Sequence, residues 1–303
     1  MTKQTHEHLV AELKDLLLKR KQIILTGAPG TGKTYLAKEI AALMLNKDVK
    51  TMLAEAKAGK EHRYQFRQFH PGYDYSDFVE GLKPHLQEGR PTFVPTPGAF
   101  MKFCIEAAGT QDNYVMVIDE INRADLSRVF GELFYGLEKD YRGEPVPTQY
   151  SYLPNRPYLG SQHFSIPHNV YIIGTMNDID RSVESMDFAL RRRFAWQEIT
   201  VEDSESIITN NVPESIHSSV ISVMRAINAE IIDDMLGLDR AYYLGGAYFK
   251  EMKDVAPDSW EQLWKYNVKV ILTEYLRASR KNLKIEALEE TFRAIVSRDG
   301  HES

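Results

Sequence analysis

The chain is poor in cysteine: Cys104 is its only one in 303 residues, so no internal disulfide can form, and no Cys/His cluster has the spacing of zinc ligands. That agrees with a reducing compartment, and Cys104 reads as a small buried hydrophobe. Long apolar runs are missing too, since nothing approaches the roughly 20 residues that cross a bilayer. The first stretch, MTKQTHEHLVAELKDLLLKRKQ, mixes acids and bases where a secretory leader has an apolar segment and a small-residue cleavage site. A cytoplasmic location without membrane contact is expected. Excess positive charge is also absent, because the formal net charge is −6. The basic footprint of a dedicated nucleic-acid binder is therefore lacking, and any contact with DNA is local or made through a partner. No internal repeat or low-complexity segment is found.

What is present is ordinary globular material, 43% hydrophobic and 26% charged, in a chain longer than one core usually organises. Two domains are expected, an α/β unit over 1–200 and a helical unit over 201–303, with a disordered tail from Arg298 to Ser303. Leu9, Leu13, Leu16 and Leu17 form one helical stripe, and Gln22–Thr26 follows as a short apolar strand. Helical periodicity returns over Thr34–Leu45, with Leu36, Ile40, Leu43 and Met44 as the inner face. Residues 47–63 read as loop or frayed helix, and Tyr64–Phe69 as a strand. Gly81, Pro84, Gly89, Pro91, Pro95, Pro97 and Gly98 crowd so many breakers together that an irregular insertion is expected there. A helix near 99–108 leads to the apolar strand Tyr114–Ile118. Ala124–Lys139 reads as one helix capped by Asp125, and Pro145, Pro147, Pro154 and Pro157 mark a second insertion, hairpin-like in expectation. Val170–Thr175 and Ala195–Ile199 are further strands, after which only helices follow: 216–235, 260–279 and 285–296. Trp260 and Trp264, at i, i+4 spacing, belong to the core of that helical part.

Gly27-Ala28-Pro29-Gly30-Thr31-Gly32-Lys33-Thr34 fits G-x-x-x-x-G-K-[ST] between a strand and a helix, the context that gives this motif its meaning. Glycines let successive backbone N–H groups close around phosphate oxygens, and the helix N-terminus adds its dipole. Lys33 is then the cation for β/γ oxygens and Thr34 a magnesium ligand, with Tyr35 counted as the next residue of the gripping segment. The strand Val115–Ile118 ends in Asp119 and Glu120. Paired acids at the end of a buried strand can be simple caps, but downstream of a phosphate loop they divide labour. Asp119 is assigned to the metal side and Glu120 to polarising a water. Asn177, just past the strand Val170–Thr175, which is expected between the two motif strands, is placed to sense a γ-phosphate, the alternative being an asparagine that closes a turn. Arg191, Arg192 and Arg193 lie between apolar residues. A run costly to point inward suits a neighbouring subunit, where an arginine finger contributes roughly 10³–10⁵ in rate. Fingers acting in trans imply a ring or partial ring.

Together these features resemble the AAA+ superfamily. More narrowly, Asp119-Glu120-Ile121-Asn122-Arg123-Ala124, Met176-Asn177-Asp178-Ile179-Asp180-Arg181-Ser182 and Ala189-Leu190-Arg191-Arg192-Arg193-Phe194 resemble the McrB family, the GTP-hydrolysing motors of modified-cytosine-dependent restriction systems. Gln68–Phe78 and Gly245–Phe249 also resemble family segments. The resemblance implies a parallel sheet with a helical lid, hydrolysis of GTP or ATP with Mg²⁺, a ring of the hexameric kind, an McrC-like nuclease partner that stimulates turnover, and DNA reached through that partner or the ring. It makes Asn177 the residue that positions water and Asp180 and Arg181 signature residues near the site. Arg123 becomes a Walker B residue facing the subunit contact, and Arg192 and Arg193 the interface arginines. His70, Tyr73, Tyr75 and Phe78 read as packing residues. Asp178 stands where threonine is usual and Gly246 where histidine is frequent, which leaves base preference open. Restriction-type members carry a DNA-reading domain ahead of the motor, and none is evident in residues 1–21. The rival readings are a MoxR-like chaperone acting on a protein client, against which the 177–182 signature argues, and a nucleotide-binding scaffold without turnover.

Overall fold

The computed structural model describes residues 3–87, 90–153, 156, 158–159, 163–179, 188–232, 238–252, 258–279 and 285–299. Helix α1 (Lys3–Arg20) turns at once into strand β1 (Gln22–Thr26), which leads through the glycine-rich loop into α2 (Lys33–Met44). Then come α3 (Val49–Lys57), β2 (Tyr64–Gln68), α4 (Tyr75–Phe78), β3 (Glu80–Gln87), β4 (Arg90–Pro97), α5 (Ala99–Ala108) and β5 (Tyr114–Asp119). After these follow α6 (Leu126–Phe130), α7 (Leu133–Leu137), β6 (Val170–Thr175), α8 (Phe188–Arg193) and β7 (Ala195–Glu198). The remainder is helical: α9 (Glu205–Asn211), α10 (His217–Ile232), α11 (Ser259–Gln262), a π-helical stretch over Leu263–Val268, α12 (Lys269–Ser279) and α13 (Ile285–Asp299).

Five strands form one parallel sheet in the order β2-β5-β6-β1-β7. The central three are buried almost throughout, because helices cover both faces and alternate residues feed two cores. Ile24, Met116, Ile118 and Ile172 face the core built with α5, α6 and α7, while Ile23, Leu25, Val115, Val117 and Ile173 face α1 and α2. A third core begins at Val201 and runs through the terminal helices. Phe78 anchors the first core: it stacks on Phe100 at 4.9 Å and meets Phe69 edge-on at 5.6 Å, contacts whose removal in a Phe→Ala change costs about 3–5 kcal/mol. Tyr73 and Tyr75 pack on the same core, whereas His70 is exposed.

Several expectations need correction. The proline-rich segment is a regular antiparallel hairpin of β3 and β4, not an irregular insertion. Proline lacks only the N–H, and the prolines fall in alternate pairs: Glu80↔Pro97, Leu82↔Pro95, Pro84↔Phe93 and Leu86↔Pro91. Those are the pairs whose N–H groups point away from the partner strand. The run 124–139 is broken at Gly131 (φ +49°) into α6 and α7. Asp125 does cap α6, accepting from the Arg128 N–H at 3.1 Å. Residues 49–57 are a helix capped by Asp48, and α9 is an extra helix. Leu43 is 38% exposed, and Ala37, Ala41 and Ala42 take the inner face instead. The second insertion has no strand among its described residues, although the Val146→Phe164 (2.8 Å) and Gly143→Ile166 (2.9 Å) backbone bonds tie its arms together. Pro154 and Pro157 lie outside the described residues. So do residues 300–303, and α13 continues through Arg298 and Asp299 where a disordered tail was expected. Cys104 is buried, as its chemistry suggested, and burial pushes its thiol up. Trp264 is buried in the third core and Trp260 packs against it.

Candidate active site

The site lies at the carboxyl ends of β1, β5 and β6, where parallel α/β sheets bind ligands. Gly27, Gly30 and Gly32 all have positive φ (+138°, +78°, +84°). At Gly27 a Cβ would stand 2.3 Å from the Ile199 carbonyl oxygen, so only glycine permits the turn. Lys33 is 6% exposed and folds over its own loop, donating to the carbonyls of Gly27 (3.0 Å) and Ala28 (2.8 Å) and to the Thr31 hydroxyl (3.3 Å). A cation held at the concave side of a ring of amides is suited to an arriving phosphate, which would replace the carbonyls as its partner.

Thr34, in the first turn of α2, donates its hydroxyl to Asp119 Oδ1 at 2.7 Å. Thr175, ending β6, donates to the same oxygen at 2.6 Å and accepts from the Glu120 N–H at 3.3 Å. Hydroxyl and carboxylate oxygens are the donors a magnesium ion selects, and Thr34 with Asp119 fits it. Among the described residues no cluster of three or more His, Cys, Asp or Glu could hold a metal alone, as expected for an ion that completes its shell with phosphate and water. Glu120 adopts left-handed backbone (φ +51°), conformation that costs about 1 kcal/mol or more in a non-glycine residue, and its carboxylate pairs with Arg123. Asn177 is held beside the loop by its neighbours: Met176 N–H bonds the Leu25 carbonyl at 3.0 Å and Asp178 N–H the Gly27 carbonyl at 3.3 Å. Burial raises the Asp178 carboxyl above its ordinary range against the pull of Lys33. Asp180 and Arg181 lie outside the described residues.

The arginine run sits on α8, and its members differ. Leu190 and Phe194 fill the core, and Arg191 lies over Trp196 at 5.5 Å. The Arg193 side chain is 10% exposed, pairs with Glu138 at 2.7 Å and donates to the Phe134 carbonyl at 2.7 Å. That of Arg192 is 68% exposed and touches Glu138 at 3.0 Å. Beside the phosphate loop a cleft of about 540 Å³ is lined by Thr31, Gly32 and Tyr35 and by Asp203, Ile207 and Ala247 of the helical part. That part reaches the loop directly: Gly245 N–H bonds the Pro29 carbonyl and Ala247 N–H the Gly30 carbonyl, both at 3.0 Å.

Residues 22–194 match the family of AAA domains, dynein-related subfamily. The chain belongs to the AAA family. Within it, the chain is McrB-like: it is 35% identical over 243 residues to the EcoKMcrB subunit of a type IV methyl-directed restriction enzyme of Escherichia coli (strain K12), covering 78% of this chain and 49% of that protein. It is 29% identical over 211 residues to YdiS, a component of the type II restriction enzyme BsuMI of Bacillus subtilis (strain 168), covering 59% of this chain and 57% of that protein. The chain thus spans about half the length of the curated relatives it matches.

Three participants of this AAA site escaped the motifs. Thr175 is one, although the register Ile118↔Gly174 sets the ends of β5 and β6 side by side, so a polar residue there had to meet Asp119. His6 on α1 is the second: it bonds Glu39 at 2.9 Å and Ser206 at 3.3 Å, bridging α1, α2 and α9 at the cleft. Tyr248, the third, lies inside the family-like segment Gly245–Phe249, but its partner did not show in the sequence; its ring covers Gly30 so closely that a Cβ there would lie 2.7 Å away. Among the described residues no helix is long and apolar enough to cross a membrane.

Proposed function

We propose that this AAA protein is the nucleoside-triphosphatase motor of an McrB-type restriction system, favouring GTP over ATP. In this reading it depends on Mg²⁺ and works in the cytoplasm as a ring of the hexameric kind, with an McrC-like nuclease subunit as partner and DNA engaged through that partner or the ring. The observation that carries the reading is the convergence of the Thr34 and Thr175 hydroxyls on Asp119, next to a phosphate loop over which Lys33 is folded, at one end of the sheet. The likeness to two restriction components supports the biological setting.

Gly27 to Thr34 wrap the triphosphate, Lys33 exchanges its loop carbonyls for phosphate oxygens, and Tyr35 flanks the nucleoside end of the cleft. Thr34 and Asp119 would hold Mg²⁺, which would supply positive charge to the phosphates. Glu120 accepts a proton from the attacking water once Arg123 releases it, and Asn177 orients that water. Asp180 and Arg181 complete the signature. Arg192, exposed and lightly held, is the finger offered to the next protomer, while Arg193 braces it. The nucleotide domain is taken as 1–200 and the lid as 201–303, a division supported by a third core whose fully buried members begin at Val201.

Hydrolysis of GTP, ATP and CTP, measured side by side with the nuclease partner present, tests this reading. GTP turnover should exceed the others, and Glu120→Gln should retain nucleotide while turnover falls by about 10²-fold or more. ATP-favoured turnover removes the base assignment, and a Glu120→Gln variant at wild-type rate removes the assigned base.

A further inference from the structure

Gln22 begins β1 at the end opposite the phosphate loop and is 2% exposed. Its amide Nε2 donates to two carbonyls, Leu137 at 2.6 Å and Arg193 at 2.8 Å. These residues end α7 and α8, the helices that present Glu138 and the arginine run. Its Oε1 accepts from Arg142 Nη2 at 2.6 Å. Arg142 is itself 3% exposed, and its Nη1 donates to the carbonyls of Val170 (3.1 Å) and Pro167 (3.3 Å). Among the described residues no carboxylate pairs with it, and burial brings its guanidinium down to about 10.

A buried cation without an acid is costly. Here the charge sits behind an amide, where it polarises Gln22 and strengthens the two N–H bonds on its far side. Those bonds fix the end of α8 to the first residue of β1, and β1 runs without interruption to Gly27. Gln22, Arg192 and Arg193 border one cleft with Lys19, Glu138 and Asp140.

We propose that Gln22 and Arg142 are positioning residues that hold the end of α8 so that Arg192 reaches the active site of the neighbouring protomer. The inference rests on the reading of Arg192 as a finger in trans. It adds a through-strand link: the strand that carries a protomer's own phosphate loop also fixes the arginine it lends.

The discriminating variant is Gln22→Glu. It keeps an oxygen for Arg142, gives that cation a buried counter-charge and removes both N–H donors, leaving carboxylate oxygens against the Leu137 and Arg193 carbonyls. We expect a folded protein, the new ion pair with Arg142 offsetting part of the two lost hydrogen bonds, and partner-stimulated hydrolysis reduced on the order of 10²-fold, the scale of a group misplaced by about 1 Å. Mixing then assigns the defect. Lys33→Ala protomers, which carry an intact Arg192 but an impaired nucleotide loop, should restore hydrolysis in Gln22→Glu protomers as they do in Arg192→Ala protomers. Arg142→Lys, which retains charge and loses the fork, should show the same lending defect and covers the case in which Gln22→Glu does not fold. Wild-type hydrolysis by a folded Gln22→Glu or Arg142→Lys variant overturns the proposal. So does rescue of Arg192→Ala without rescue of the positioning variants. Failure to rescue Arg192→Ala itself marks the finger reading, not the positioning link, as the fault.

Discussion

Thr175→Val removes one hydroxyl from the site and little else. The side chain is 2% exposed, and valine occupies nearly the same shape. What disappears is the 2.6 Å bond to Asp119 and the acceptor for the Glu120 N–H. A hydrogen bond to a charged group contributes about 1.5–3 kcal/mol, and an orphaned buried N–H adds to the loss. Thr34 continues to hold Asp119, so a net destabilisation of about 2 kcal/mol is expected, roughly a 30-fold shift in the unfolding equilibrium. The functional effect is separate, because Asp119 without its second hydroxyl no longer has a fixed orientation. Loss of an outer-shell partner weakens metal affinity by about 10–100-fold. Urea denaturation reads the first quantity, and magnesium titration of hydrolysis at saturating nucleoside triphosphate reads the second. Thr175→Ser restores the hydroxyl and loses a methyl, so it should cost about 1 kcal/mol of stability while leaving magnesium half-saturation within about twofold of wild type. A valine variant with wild-type magnesium half-saturation refutes the reasoning whatever its stability.

The two paired arginines should separate in the same assays. Arg193→Ala should cost about 2–3 kcal/mol in urea denaturation through its lost ion pair and carbonyl bond. Arg192→Ala should change stability by about 0.5 kcal/mol or less, yet slow partner-stimulated hydrolysis on the order of 10³-fold; the reverse pattern would contradict the assignment. His6 lies between Glu39 at 2.9 Å and Ser206 Oγ at 3.3 Å. The hydrogen bond to Glu39 raises its pKa against burial, with Glu7 and Asp203 adding to the rise. Its stabilisation is therefore complete below the unfolded value of 6.5 and lost as pH rises through the higher folded value. His6→Ala should lower the melting temperature at about pH 6 and much less at about pH 9; an equal loss at both counts against the charged pair. Gly245→Ala keeps an allowed backbone (φ −78°) but drives a Cβ to 2.3 Å from the Gly30 carbonyl carbon. Fluorescent-nucleotide titration should show affinity reduced by about tenfold or more in a folded protein, and unchanged affinity would argue against coupling of lid and loop.

The phosphate loop and the acidic strand end were legible because each is a contiguous string whose neighbours declare strand and helix. The place of β6 between the two motif strands was legible too and holds in the sheet, but Thr175 was passed over because a lone threonine acquires meaning only when its hydroxyl is set in register against Asp119. His6 and Ser206 are 200 residues apart, a separation that no local pattern bridges. The split at Gly131 was hidden because the apolar spacing of 126–137 continues across it. The hairpin failed for a different reason: prolines were weighed by density when their spacing carried the information. Pro91, Pro95 and Pro97 share one parity, as they must if a ladder is to run between them.

That spacing also decides what the ribbon can join. Along the outer rim of β4 the amides that would greet another strand belong to positions 91, 93, 95 and 97, and three of these four are proline. Side by side in an assembly, such ribbons could touch through the exposed Leu86 and Phe93, but that rim has little with which to zip into a wider sheet. On that side the ribbon is held to side-chain contacts, which form and part more readily than a strand ladder.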